Sequence, residues 1–173
     1  MFENVCLAIK VALDLKIDKK TIQKTLPLLS FEGRFQYLNK GKIKNRLHKN
    51  EIIMIDGAHA AADAQNLAAY LKNIKIPKYG IWAMTKNKEP DLFIKQLKGV
   101  FKKIVIMPIE NETNSVSVNK LYKIAVKNKF KAEKSNNFTE ALKKISSKEK
   151  KLIVCFGSLY NCCLLYTSPS PRD

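Results

Sequence analysis

An aspartate and a histidine three residues apart, just beyond a run of apolar residues, are the pair in this sequence best placed to do chemistry. They close the stretch 51–60, EIIMIDGAHA, as Asp56 and His59. A carboxylate there can hold a ribose hydroxyl or a metal-bound water, and an imidazole can meet an anionic substrate or a phosphate. The spacing is equally met by an aspartate that caps the following helix beside a partly exposed histidine. Arg34 stands out because only three of the 32 basic residues, Arg34, Arg46 and Arg172, are arginines. It follows Gly33, where the backbone can turn, and its guanidinium can clamp a phosphate or stack on a base; a surface ion pair accounts for it as well. Gly157-Ser158 ends the last apolar run, where a hydroxyl and free amides can receive a carboxylate or phosphate, or where the chain merely turns. Lys86-Asn87-Lys88-Glu89 reads as a solvated loop on the same rim. Neither G-x-x-x-x-G-K-[ST] nor G-x-G-x-x-G occurs, so any ATP must be held mostly by another domain.

These residues need elements to position them. Val5, Ala8, Ile9, Ala12 and Leu13 recur at helical spacing, predicting a helix over 2–15, and Asp18 can cap a second one from Ile22 to about Leu26, closed by Pro27. Residues 31–38, FEGRFQYL, read as a half-buried strand after a turn at Glu32-Gly33, and 43–47 as another strand joined to 52–55 through Lys49-Asn50. Beyond the Asp56-Gly57 break, helices are expected over 61–73, 90–100, 118–128 and 138–145. Strands are expected over 79–84, 103–107, 130–132 and 152–156, with Trp82 in the core and His48 on a turn. Such alternation implies βαβ units and a three-layer α/β fold around a mostly parallel sheet.

Composition narrows the function classes. With 173 residues and 46% hydrophobic content, the chain can bury one sizeable core. Its formal charge of +17 raises nucleic-acid or membrane-surface binding. The lysines are spread evenly among Asn and Ile, however, and arginine, the usual reader of phosphates and base edges, is rare; a solvated surface is the simpler reading. Cys6, Cys155, Cys162 and Cys163 show no C-x-x-C pairing and no His at metal-ligand spacing, so no metal site is expected and the thiols suit a reducing compartment. No run approaches ~18 apolar residues and no signal peptide is recognisable, which makes the cytoplasm the expected location.

Taken together, the motifs resemble the C-terminal domain of the folylpolyglutamate synthase/dihydrofolate synthase family, relatives of the Mur ligases. FEGRFQ (31–36) is similar to the family's W-P-G-R-F-Q, IDGAH (55–59) to L-D-G-A-H-N, MTKNKE (84–89) to a segment ending D-K-D, FGSLY (156–160) to T-G-S-L-Y, and Asn4 to Ala8 to the family's N-x-x-x-A helix start. The resemblance implies a Rossmann-like sheet as in Mur ligase C-terminal domains. It also implies an ATP-dependent ligase in which a pterin-linked carboxylate is phosphorylated to an acyl phosphate and then attacked by the amino group of glutamate. By the same resemblance Arg34, Asp56 and Asn4 fall to ATP, with Asn4 near the adenine. His59 and Ser158 fall to the incoming glutamate, with His59 the catalytic candidate.

The implied partners are small molecules, glutamate and dihydropteroate or folate, with no nucleic acid and no membrane. ATP and Mg2+ would be held mainly by an N-terminal domain that this sequence lacks, so the chain alone is expected to be inactive. The expected organisation is a helical segment (1–28) left from a preceding domain, a ligase C-terminal domain (29–160) and a Pro/Ser-rich tail (161–173) that is not native. Three departures stand out: Ala60 replaces the motif's Asn, Glu89 its second Asp, and the loop 112–117 lacks the family's frequent arginine. The alternative is a stand-alone α/β module that binds a nucleotide or an acidic partner.

Overall fold

The computed structural model describes residues 2–29, 31, 33–41 and 43–158, with side chains from residue 4 onward; the tail at 161–173 lies outside the described residues. The chain divides into two compact units, Met1–Phe31 and Glu32–Asp173.

The first unit is a helix pair, α1 (Phe2–Asp14) and α2 (Lys19–Thr25). Asp18 caps α2, its Oδ1 accepting from the Thr21 amide at 2.9 Å and its Oδ2 from the Thr21 hydroxyl at 2.5 Å. Pro27 lies in the 3-10 turn Leu26–Leu28 that ends it. Val5, Ile9 and Ala12 are half-buried, while Leu7, Val11 and Leu15 are exposed and line an apolar groove with Asn4, Ala8, Ala12 and Ile17.

The second unit holds six strands, β1 (Gln36–Tyr37), β2 (Glu51–Asp56), β3 (Lys78–Trp82), β4 (Lys103–Ile106), β5 (Ala132–Lys134) and β6 (Lys151–Phe156), in the order β1-β2-β6-β3-β4-β5. β1 is antiparallel to β2, and every other pairing is parallel. Four helices cover the sheet: α3 (Ala61–Lys72), α4 (Pro90–Lys95), α5 (Val118–Lys127) and α6 (Phe138–Ile145).

Because the side-chain period of a strand is two, each inner strand feeds both faces. Met54, Trp82, Ile104, Ile106, Leu152, Val154 and Phe156 pack under α3, α4 and α5, and Ile53, Ile55, Ile81, Val105, Ile153 and Cys155 pack under α6. Strands buried on both sides read as continuous apolar runs, which is why β2 and β6 were legible in the sequence. The three steps from β2 to β5 run in one direction and place their helices on one face. The return from β5 to β6 reverses direction, so a right-handed crossover sends α6 to the other face. β6 thereby enters between β2 and β3, and the carboxyl ends of these three strands converge.

Several expected elements are corrected. The strand over 31–38 shrinks to Gln36–Tyr37, because the chain before it turns through Gly33 (φ +69°) and Phe35 (φ +44°). Residues 43–47 are no strand but hold the 3-10 turn Lys44–Arg46, so the antiparallel partner of β2 is β1. The helix over 90–100 ends at Lys95 and continues as turns that still bury Leu97 and Val100. The strand at 130–132 is shifted to 132–134. The helix over 138–145 stands as expected, with Asn137 accepting from the Glu140 amide at its start.

Candidate functional site

Asp56 is the last residue of β2 and only 2% exposed. Its side chain binds backbone: Oδ2 accepts from the Phe35 amide at 2.9 Å and Oδ1 from the Ala58 amide at 2.8 Å. The Gly57 amide donates to the Gly33 carbonyl at 2.6 Å. Together these bonds clamp the Gly33–Phe35 turn onto the strand end and hold Phe35 in a left-handed conformation that bulky side chains avoid. Burial pushes the Asp56 carboxyl above its ordinary value. The Phe35 and Ala58 amides oppose that shift, then Arg34, while Asp63 adds to it.

Arg34, carried on the clamped turn, reaches Asp63 at 4.0 Å with about a third of its side chain exposed. Asp63 sits in the first turn of α3, its Oδ2 accepting from the His59 and Ala60 amides at 3.4 Å. It does the capping that the sequence offered to Asp56, and Ala60 at the N-cap has no acceptor side chain of its own.

His59 follows on the same turn, half-buried, with Nδ1 2.9 Å from the Gly57 carbonyl. A carbonyl only accepts, so Nδ1 carries a proton and the neutral ring keeps its lone pair on Nε2. Across the gap, Gly157 follows β6 at φ +103°, and a Cβ there would lie 2.3 Å from the Ala83 carbonyl and 2.7 Å from the Trp82 ring. No other residue allows so close an approach of β6 to β3, and Ser158, 4% exposed, follows directly. The stretch after β3 is fixed by the β4–α5 loop: Val116 N–H donates to the Met84 carbonyl at 2.8 Å and Lys86 N–H to the Asn114 carbonyl at 2.7 Å, about a Thr85–Ser115 bridge.

These four segments, after β2, β3, β4 and β6, enclose a cleft of about 230 Å³ lined by His59, Thr85, Asn87, Lys88, Glu112, Asn114 and Ser158. It lies at the carboxyl ends of parallel strands where the strand order reverses, the usual ligand position in open α/β sheets. The structure thus joins His59 and Ser158 in one cleft and groups Arg34 with Asp56 and Asp63 beside it. Asn4 lies in the separate helical unit, exposed on α1. Thr85, Glu112 and Asn114 were not singled out as site residues from sequence. Their placement depends on a pairing between the loops after β3 and β4, for which no local pattern exists.

Phosphates fit these residues only in part. Arg34 can meet an anion, but both Asp56 oxygens already hold backbone amides. The cleft is also smaller than the roughly 300–1,000 Å³ of pockets for drug-sized ligands. No group of three or more His, Cys, Asp or Glu that could hold a metal ion occurs among the described residues. No helix among them is long and apolar enough to cross a membrane.

No curated protein sequence matches the chain. Solved structures with the same fold include Mycobacterium tuberculosis folylpolyglutamate synthase complexed with ADP and AMPPCP, 17% identical, with a TM-score of 0.71 over 90% of this chain and 36% of that one. E. coli FolC in complex with DHPP and ADP is 16% identical, TM-score 0.74, over 92% and 36%. A bifunctional folylpolyglutamate synthase/dihydrofolate synthase with Mn, AMPPNP and L-glutamate bound is 17% identical, TM-score 0.68, over 84% and 33%. The chain therefore spans about a third of the length of these proteins. The sequence model described as dihydrofolate synthetase, C-terminal domain, matches residues 39–167, most of the chain and nearly all of the sheet just described. The chain belongs to the dihydrofolate synthetase C-terminal domain family.

Proposed function

We propose that this chain is the glutamate-side domain of an ATP-dependent ligase that joins glutamate to dihydropteroate or folate, a dihydrofolate synthase/folylpolyglutamate synthase. The observation that carries it is the meeting of His59 and Ser158 with the loop after β3 in one amino-acid-sized cleft at the reversal of strand order. ATP, when bound, supplies the phosphoryl group that activates the pterin-linked carboxylate as an acyl phosphate. The chain's own residues then have a positioning task. Ser158 and Lys88 bind carboxylate, and His59, through Nε2, takes a hydrogen bond from the incoming amino group and can hold its proton. Arg34, steadied by Asp63 and by the Asp56 clamp, faces phosphate, and Asp56 and Asn4 remain the ribose and adenine candidates.

Most of the nucleotide and the magnesium fall to a preceding domain of the same polypeptide. Two observations support that assignment. The chain covers 36% of the length of its fold neighbours, and the helical unit exposes Leu7, Val11, Leu15, Leu28 and Leu29, an apolar surface suited to further protein. Domain limits near residues 28 and 160 and a cytoplasmic location belong to the same reading.

The test is glutamate-dependent ADP release with dihydropteroate, by the enzyme that contains this chain. His59→Ala should lower kcat/KM by about 10²-fold or more with the circular-dichroism spectrum unchanged. Undiminished kcat/KM in that variant would remove His59 from the site, and ADP release indifferent to glutamate would remove the ligase reading.

A further inference from the structure

The cleft contains two charges that the protein itself leaves unmatched. Among the described residues, ion pairs engage Glu51, Asp63, Asp91, Glu133 and Glu140, in a chain whose net charge of +17 offers every acid a surplus of lysines. Glu112 and Lys88 form no ion pair, either with each other or with other described residues, although both are half-buried and line the same small cavity. A half-buried carboxylate and a half-buried ammonium held apart in one cavity suit a ligand that carries both signs.

The loop that carries Glu112 is built to aim it. Asn111 takes φ +58° immediately before it, a left-handed turn that asparagine adopts readily. Glu112 Oε1 accepts from the Asn114 amide at 2.7 Å, which fixes the carboxylate while Oε2 remains for another donor. Lys86 Nζ donates to the Thr113 carbonyl at 3.0 Å, and the Ile109 amide to Ser115 Oγ at 3.1 Å. A side chain held by its own loop loses little freedom on binding.

We propose that Glu112 is the specificity-determining residue for the amino-acid substrate, accepting a hydrogen bond from its α-ammonium group while Lys88 and Ser158 take carboxylate. This rests on the ligase reading above and adds a residue and a polarity to it. The cleft would select an α-amino dicarboxylate over the same dicarboxylate without the amine, because an analogue lacking the donor leaves a half-buried carboxylate desolvated and unpaired.

L-Glutamate and glutarate, which differ by the amino group alone, are the probes. The 173-residue chain is titrated with each by calorimetry, and in parallel by the fluorescence of Trp82, the chain's one tryptophan, whose ring lies against Gly157. The wild type should bind L-glutamate more tightly than glutarate. Glu112→Gln, which keeps an oxygen for the Asn114 amide, should weaken L-glutamate at least ten-fold and leave glutarate unchanged or tighter. Lys88→Met should weaken both. If Glu112→Gln changes neither ligand, or weakens both equally, Glu112 does not read the amine, and the ligase reading stands without it. If the wild type binds neither probe, the amino-acid assignment of the cleft falls, and Glu112 with it.

Discussion

Gly157 is the residue on which the cleft most directly depends. Its φ of +103° and the 2.3 Å that would separate a Cβ from the Ala83 carbonyl leave no room for any side chain. Gly157→Ala must therefore push β6 from β3 or twist the turn that carries Ser158. A loss of about 1–3 kcal/mol is expected from overpacking, with more from the forbidden backbone angle. Denaturant unfolding followed by Trp82 fluorescence checks it; a variant within about 0.5 kcal/mol of wild type would show that the turn has slack. Asp56 shows the opposite relation between residue and neighbourhood. Its motif position suggested a ligand contact, yet both oxygens secure backbone, so the carboxylate acts on the turn that carries Arg34.

Two polar ties fix how the elements meet. At the amino-terminal edge of the sheet, Glu51 of β2 (0% exposed) accepts from the His48 amide, the Ser146 hydroxyl and the Ser147 amide, and lies 3.8 Å from Lys151 of β6. Lys151 in turn donates to the Ile145 carbonyl at the end of α6 and to the Ser147 hydroxyl. Glu51→Leu strands three donors and one ammonium and should lose about 3–5 kcal/mol. Lys151→Met leaves Glu51 with its three donors and should lose less. Equal losses by chemical denaturation would mean that the ion pair, and not the acceptor role of Glu51, holds the corner.

On the opposite side, Asp91 of α4 is bound by Lys95 at 2.8 Å, by Asn128 at 3.0 Å and by Lys127 at 3.5 Å, which draws its pKa down to about 2, with the Lys95 bond the largest cause. A carboxyl with a lowered folded pKa adds stability that is present above its unfolded value near ~4 and is lost as pH falls towards 2. Asp91→Asn should therefore flatten the decline of Tm between pH 5 and 2 and leave its shape above pH 5 unchanged. A decline as steep as that of wild type would assign the acid sensitivity elsewhere.

At the scale of the molecule, the second unit has, among the described residues, a sheet covered on both faces, with its core drawn from its own strands and helices. A chain beginning at residue 32 should thus fold by itself and unfold in one cooperative transition reported by Trp82. A broad, non-cooperative melt would show that residues 1–31 are part of its foundation. Most of the chain's +17 charge attaches to this unit as a lysine-studded surface, while the cleft itself mixes Lys88 and His59 with Glu112. The net charge thus says little about what the cleft accepts.

What the sequence determined by itself was whatever depends on neighbours in the chain. Apolar runs bounded by turns marked β2, β4 and β6, helical spacing marked α3, α5 and α6, and the order of short motifs carried the family. Asp56, His59 and Ser158 were legible because they follow or close such runs, and Arg34 because arginine is scarce and it follows a glycine. Tertiary structure decided the rest. The insertion of β6 between β2 and β3, which brings Ser158 to His59, is set by a crossover that no local pattern encodes. The clamp of Asp56 on Phe35 spans 21 residues, and it shortened an expected eight-residue strand to two. Glu112 reaches the cleft only because the loop after β4 pairs with the end of β3. Contacts between distant residues depend on shape and on competition for hydrogen bonds, and neither leaves a period in the sequence.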